Sequence, residues 1–193
     1  MRTARTKTLV ICAMLIALGV VLSAVIEIPL IPAAPFLKYD PSGAVMQLAA
    51  LLYGPVYGSI VAVITCLIHG SADGPIGIIM NILGSLFAVI PAGLLYSKIL
   101  RPAKENPERA QEQGALDKGI LRRTAIALGI GAVSMVAGSI LSNLIFTPLY
   151  MGVSSAQVAT MIVPVLLPFN VAKAVLNAIL TFIIFQALRK QLS

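Results

Sequence analysis

Apolar segments of bilayer length recur along this chain, and that recurrence restricts its fold more than any single motif does. A helix crossing about 30 Å of hydrocarbon needs about 20 mostly apolar residues. By that rule the sequence predicts six spans, at about 8–28, 43–53, 57–69, 76–95, 124–145 and 163–188. The second and third are short, and the turn Tyr53-Gly54-Pro55 between them makes a compact hairpin. The expected fold class is therefore an all-α integral membrane protein, a single membrane domain of six transmembrane helices. A basic stretch before an apolar run also describes a secretory signal peptide, but the run at 8–28 exceeds the usual apolar core of about 7–15 residues and further spans follow. The expectation is a retained first helix.

Charge fixes the orientation. Of 193 residues 59% are hydrophobic and 11% charged, and the net charge of +7 sits between the apolar runs rather than on a soluble surface. It reads as positive-inside signal, not as a nucleic-acid footprint. Arg2, Arg5 and Lys7, seven basic residues from Lys98 to Arg123, and Arg189 with Lys190 then all fall on the cytoplasmic side. Both termini and the linker at 99–122 are expected there, with Arg101–Lys118 its plainly soluble stretch. Lys38 and Lys173 remain outside these clusters, and a bound substrate would account for both.

Lys173 lies about ten residues into the last apolar run, with Asn170 on the same helical face. An ionised lysine near the bilayer centre costs about 2.5–3.5 kcal/mol, so it turns to a polar cavity or snorkels to the interface. Asn81 and Asn143 add amides inside apolar runs, and amides there also bridge helices without any ligand. The segment from Ile28 to Gly43 carries Pro29, Pro32 and Pro35, which oppose helix, together with Leu30, Ile31, Phe36 and Leu37, which are too apolar for a free loop. It reads either as a cover over an outward cavity edged by Glu27, Lys38, Asp40, His69 and Asp73, or as an interfacial loop tucked against helix ends.

Catalytic signatures are missing: the sequence contains no HExxH, no GxSxG and no GxxxxGK[ST], so no enzyme is predicted. Cys12 and Cys66 lie in apolar stretches without a CxxC spacing, which reads as small core residues rather than disulfide or metal ligands. His69 beside Gly70, and Asp73 beside Gly74, read as turn residues.

Four strings carry a resemblance: Ala34-Pro35-Phe36-Leu37-Lys38-Tyr39-Asp40; Gly74-Pro75-Ile76-Gly77 followed by Asn81; Asn143 with Pro148 and Tyr150; and Pro168-Phe169-Asn170-Val171-Ala172-Lys173. Over about residues 8–188 the chain resembles the S components, or substrate-binding subunits, of energy-coupling factor (ECF) vitamin transporters, and among them the riboflavin-binding members. The resemblance implies a vitamin pocket near the outer surface capped by the loop after the first helix. It implies substrate-binding roles for Phe36, Leu37, Lys38, Tyr39, Gly77, Asn81, Asn143, Tyr150, Asn170 and Lys173. It also implies docking through Ala13 and Ala17 onto a transmembrane scaffold subunit that works with two cytoplasmic ATPases, in a prokaryotic plasma membrane. Riboflavin enters as transported substrate, and no cofactor or metal is expected. Some riboflavin-binding relatives are expected to carry aspartate where this chain has Asn170, which keeps an acceptor and removes a charge.

Two other readings stay open on the residues alone. One is an S component for another heteroaromatic vitamin or precursor. The other is a stand-alone secondary transporter, for which Glu27 with Lys173 would form a minimal charged pair.

Overall fold

The computed structural model describes residues 2–32, 34–35, 37–70, 74–100 and 113–192. Phe36, Asp73 and positions 101–112 of the expected linker lie outside them, as does the side chain of Tyr150. Helix α1 covers Arg2–Val25. Past it Pro29, Pro32, Pro35 and Pro41 deny the backbone its helical hydrogen bonds, and the chain forms a loop instead. Two short strands close the neck of that loop, β1 at Ile28–Pro29 and β2 at Lys38–Tyr39, paired antiparallel with Ile28 opposite Tyr39 and Pro29 opposite Lys38.

Helix α2, Ser42–Tyr53, is buried from Ala44 through Leu51 and forms the centre of the bundle. Gly54 ends it at φ +92°, a conformation open to glycine, and Pro55 starts helix α3 (Pro55–His69), where its missing N–H costs nothing. The hairpin expected from Tyr53-Gly54-Pro55 is thus present, with α2 starting one residue and α3 two residues earlier than expected. Helix α4 covers Gly74–Leu94 and continues through a π-helical turn, Leu95–Leu100. Helix α5 runs Gln113–Met151, a short helix α6 runs Ser155–Met161, and a π-helical turn at Ile162–Leu166 leads into helix α7, Leu167–Leu192.

Two boundaries differ most from expectation. Helix α5 begins at Gln113, inside the stretch expected as linker, because glutamine, alanine, leucine and lysine favour helix whether or not they extend an apolar run. The last apolar stretch is helical from Ser155, since Ser154 and Gln157 form a reciprocal capping box that starts a helix before the expected span.

Among the described residues, four helical stretches are long and apolar enough to cross a membrane: Arg5–Val25, Gly74–Lys98, Gly119–Leu149 and Ser155–Leu188. Polarity is arranged to match. Gln47, Thr65, Thr124, Asn143, Asn170, Asn177 and Thr181 are buried, while Met14, Val56, Val133 and Leu149 face outward. A surface of this kind suits lipid, and apart from the Thr65 hydroxyl these buried amides and hydroxyls find partners within the bundle.

Small residues set the packing distance at the centre, where Cys12, Met46, Ala49, Ala50, Val61, Ala62, Cys66 and Val89 join α1 to α4. Leu48, Leu51, Tyr96, Ala127, Leu128 and Phe185 form a second cluster nearer the termini, with Tyr96 and Phe185 meeting edge to face at 5.5 Å. Gly58 marks a close approach, since a Cβ there would lie 2.6 Å from Ala50 Cβ, 2.8 Å from Ala50 Cα and 2.8 Å from Val89 Cγ1. Gly58→Val is expected to cost about 1–3 kcal/mol by overpacking this contact, read as a lower unfolding midpoint of the detergent-solubilised protein.

Candidate functional site

At the end of the bundle that carries the β1–β2 loop, α4, α5 and α7 diverge around a cavity of about 540 Å³, open solvent included. Leu37, Met80, Met135 and Phe169 supply its apolar surface, and Asn81, Asn143, Asn170, Ser139, Ser142 and Lys173 its polar surface. A second cavity of about 490 Å³ on the same measure lies toward α1, α2 and α3, and Asn81, Ser85, Met135 and Lys173 border both.

The amides are held by their own helices. Asn143 Nδ2 donates to the Ser139 carbonyl at 2.7 Å, and its Oδ1 accepts from Thr147 Oγ1 at 2.9 Å. Asn170 Nδ2 donates to the Leu166 carbonyl at 2.7 Å. An amide carries two N–H donors, so each side chain is fixed in orientation by one and keeps the other for a ligand. Preorganisation of this kind reduces the ordering cost of binding.

Lys173 points inward and does not snorkel. Its Nζ donates to Asp40 Oδ2 at 3.3 Å, with the two side chains 16% and 15% exposed. Asp40 is held in turn, since its Oδ1 accepts from the Ser42 N–H at 3.0 Å and from the Ser42 hydroxyl. Beside it Tyr39 is buried, and its hydroxyl lies 3.3 Å from Asn177 Oδ1 on α7. Lys173 and Asn177 are one turn apart, so the end of the loop is tied to α7 at two successive positions.

Burial acts to raise the Asp40 carboxyl, but the Lys173 ammonium and the Ser42 hydrogen bonds outweigh it and leave the group below the usual carboxylate range. A carboxyl lowered on folding stabilises the folded state above its unfolded value, about 4, and that contribution fades as pH falls through the lowered value. The difference in melting midpoint between wild type and Asp40→Asn is therefore expected to be constant from about pH 5 to about pH 8 and to shrink below about pH 4.

Of the residues expected at the site, Leu37, Asn81, Asn143, Asn170 and Lys173 converge on the larger cavity. Lys38 does not line it: the strand pairing carries its ammonium to Glu27, 2.5 Å away, and the same carboxylate lies 3.5 Å from His69 Nε2. Tyr39 lines neither cavity, being used to anchor the loop, and Gly77 lies one turn before Asn81 on α4 without bordering either. The charged pairing that involves Lys173 is with Asp40, not with Glu27, which changes the minimal pair available to a proton-coupled carrier.

Sequence reasoning did not single out Ser139, one turn before Asn143 and on its face, or Ser142, which precedes Asn143 and is turned about 100° from it. Nor did it assign Asp40 a partner, because that contact joins positions 133 residues apart.

The helices, the polar interior and the cavity define a substrate-binding membrane subunit, and the chain belongs to the family of ECF transporter substrate-specific components, whose sequence profile matches residues 7–185. It is thus a membrane-embedded transport subunit and not an enzyme. Among characterised relatives it is 26% identical, over 96% of its own length and 93% of the relative's, to the riboflavin transporter FmnP of Bacillus subtilis. Its fold matches a solved S component of a bacterial ECF transporter at a TM-score of 0.74 and 22% identity, over 98% of this chain and 99% of that one.

Proposed function

We propose that this chain captures riboflavin outside the cell and releases it inward as the S component of an ATP-driven ECF transporter. The observation that carries this reading is the cavity wall, which combines three asparagines, three serines and one lysine with Leu37, Met80, Met135 and Phe169. Riboflavin has the complementary shape, with an apolar dimethylbenzene end, a pyrimidine-like edge of alternating donors and acceptors, and a hydroxylated ribityl chain. Asn143, Asn170 and Lys173 meet the polar edge, and Leu37 and Phe169 cover the ring. Phe36 and Tyr150 are carried as ligand contacts on the sequence resemblance alone, Lys38 and Tyr39 act through the loop, and Gly77 acts through its place one turn before Asn81 on α4. Relatedness to FmnP supports a flavin over other heteroaromatic vitamins.

In this reading the two short helices α2 and α3 also lie within the bilayer, giving six spans with both termini in the cytoplasm of a prokaryotic cell. The loop from Ile28 to Tyr39 covers an outward-facing pocket. Ala13 and Ala17 are exposed on α1, and small residues four apart allow close approach of a scaffold helix coupled to two ATPases.

Protein purified from cells grown with riboflavin is expected to carry flavin, visible in its absorption spectrum; protein purified without flavin from such cells would oppose the assignment. Asn170→Leu is expected to weaken binding by about 10- to 100-fold, since a flavin edge left without its partner loses about 1–3 kcal/mol. Competition against labelled riboflavin measures that change.

A further inference from the structure

Charge at the cavity wall is balanced from behind. Among the described residues, the Asp, Glu, His, Lys and Arg side chains bordering the two cavities are Asp40, His69 and Lys173, and of these Lys173 alone borders the larger one. His69 is accounted for by Glu27, which also takes Lys38. Lys173 stands between the cavities, with its ammonium on Asp40 from the second. Asp40 is not free to turn away, because both Ser42 hydrogen bonds hold its other oxygen.

We propose that Asp40 is a specificity determinant: as fixed counter-ion to Lys173 it leaves the polar wall without net charge, so the site selects a heteroaromatic edge that is itself uncharged. The proposal rests on the flavin reading above and deepens it. An ammonium already paired donates hydrogen bonds to a neutral edge with little Coulombic reward for a negative one. Remove the counter-ion, and the same ammonium becomes an unpaired charge in an enclosed site, which an anionic edge would neutralise. Asp40 thus acts on the ligand through Lys173 as a positioning residue, from a place where it need not touch the ligand.

Two flavins of nearly equal size separate charge from shape. Riboflavin is neutral at pH 7, whereas 8-hydroxyriboflavin replaces one ring methyl with a hydroxyl that ionises readily and spreads its negative charge through the tricycle to the pyrimidine edge. The measurement is the ratio of their affinities for the detergent-solubilised chain, with the absorption spectrum of the bound hydroxyflavin reporting its ionisation. Asp40→Asn keeps an acceptor for Ser42 and is expected to raise the ratio of anion to neutral affinity about tenfold or more, and to lower the pH at which the bound dye ionises. Lys173→Met leaves the carboxylate unbalanced and is expected to move the ratio the other way by a similar factor.

A purely structural role for Asp40 would weaken both flavins alike, and an unchanged ratio in Asp40→Asn overturns the proposal. Should that variant fail to fold, an unchanged ratio in Lys173→Met overturns it equally. If the unmodified chain binds neither flavin, the flavin reading itself fails and the proposal falls with it, a result distinct from binding with an unaltered ratio.

Discussion

Replacing Lys173 with methionine is expected to weaken riboflavin binding at least a hundredfold. The ammonium borders both cavities and pairs with a carboxylate of similarly low exposure. Removing it deletes a charge-assisted hydrogen bond to the ligand, worth about 1.5–3 kcal/mol. It also strands Asp40, and uncoupling one member of a buried pair costs about 3–5 kcal/mol. Part of that second cost appears as lower stability and part as a loop no longer tied to α7. A hundredfold loss needs only about 2.8 kcal/mol, which the first effect can nearly supply. Titration calorimetry gives the affinity, and a melting curve on the same sample separates lost binding from lost fold. Affinity within threefold of wild type in a folded variant would remove Lys173 from the site.

Uptake is expected to depend completely on an ATP-hydrolysing partner. Cells that lack their own riboflavin uptake and express this chain alone should bind labelled riboflavin without accumulating it. Adding the scaffold subunit and the two ATPases should produce accumulation. The physical ground is the scarcity of charge inside the bundle. The Lys173–Asp40 pair is fixed by Ser42, and Glu27 is engaged by Lys38 and His69 near the loop neck, so the described residues offer no chain of titratable groups from one end to the other. Accumulation by the chain alone, sensitive to a collapse of the proton gradient, would instead establish a secondary transporter.

Much of the fold was legible because apolar run length has a direct physical reading, and because Gly54-Pro55 and the prolines from Pro29 to Pro41 punctuate the chain where helices cannot continue. The polar residues most out of place in apolar surroundings, Asn81, Asn143, Asn170 and Lys173, do share one cavity. What escaped the sequence depends on contacts between distant positions. Lys38 stood out as a lone cation, yet a two-residue ladder turns it toward Glu27, and local sequence does not encode that pairing. Asp40 looked like one polar loop residue among several until α7 placed Lys173 against it. Tyr39 offered an aromatic ring for a ligand, but Asn177 holds its hydroxyl and the ring is buried. Helix α5 exceeded its expected start because composition distinguishes exposed from buried segments better than helix from loop.

The central claim, a flavin-binding S component, is tested most directly by titrating the purified wild-type chain with riboflavin and following the quenching of flavin fluorescence. Saturable quenching at one flavin per chain, with a dissociation constant below the micromolar range and competition by unlabelled riboflavin, is the predicted result. Absence of saturable quenching by a chain that melts cooperatively would contradict the flavin assignment and direct the search to other heteroaromatic vitamins.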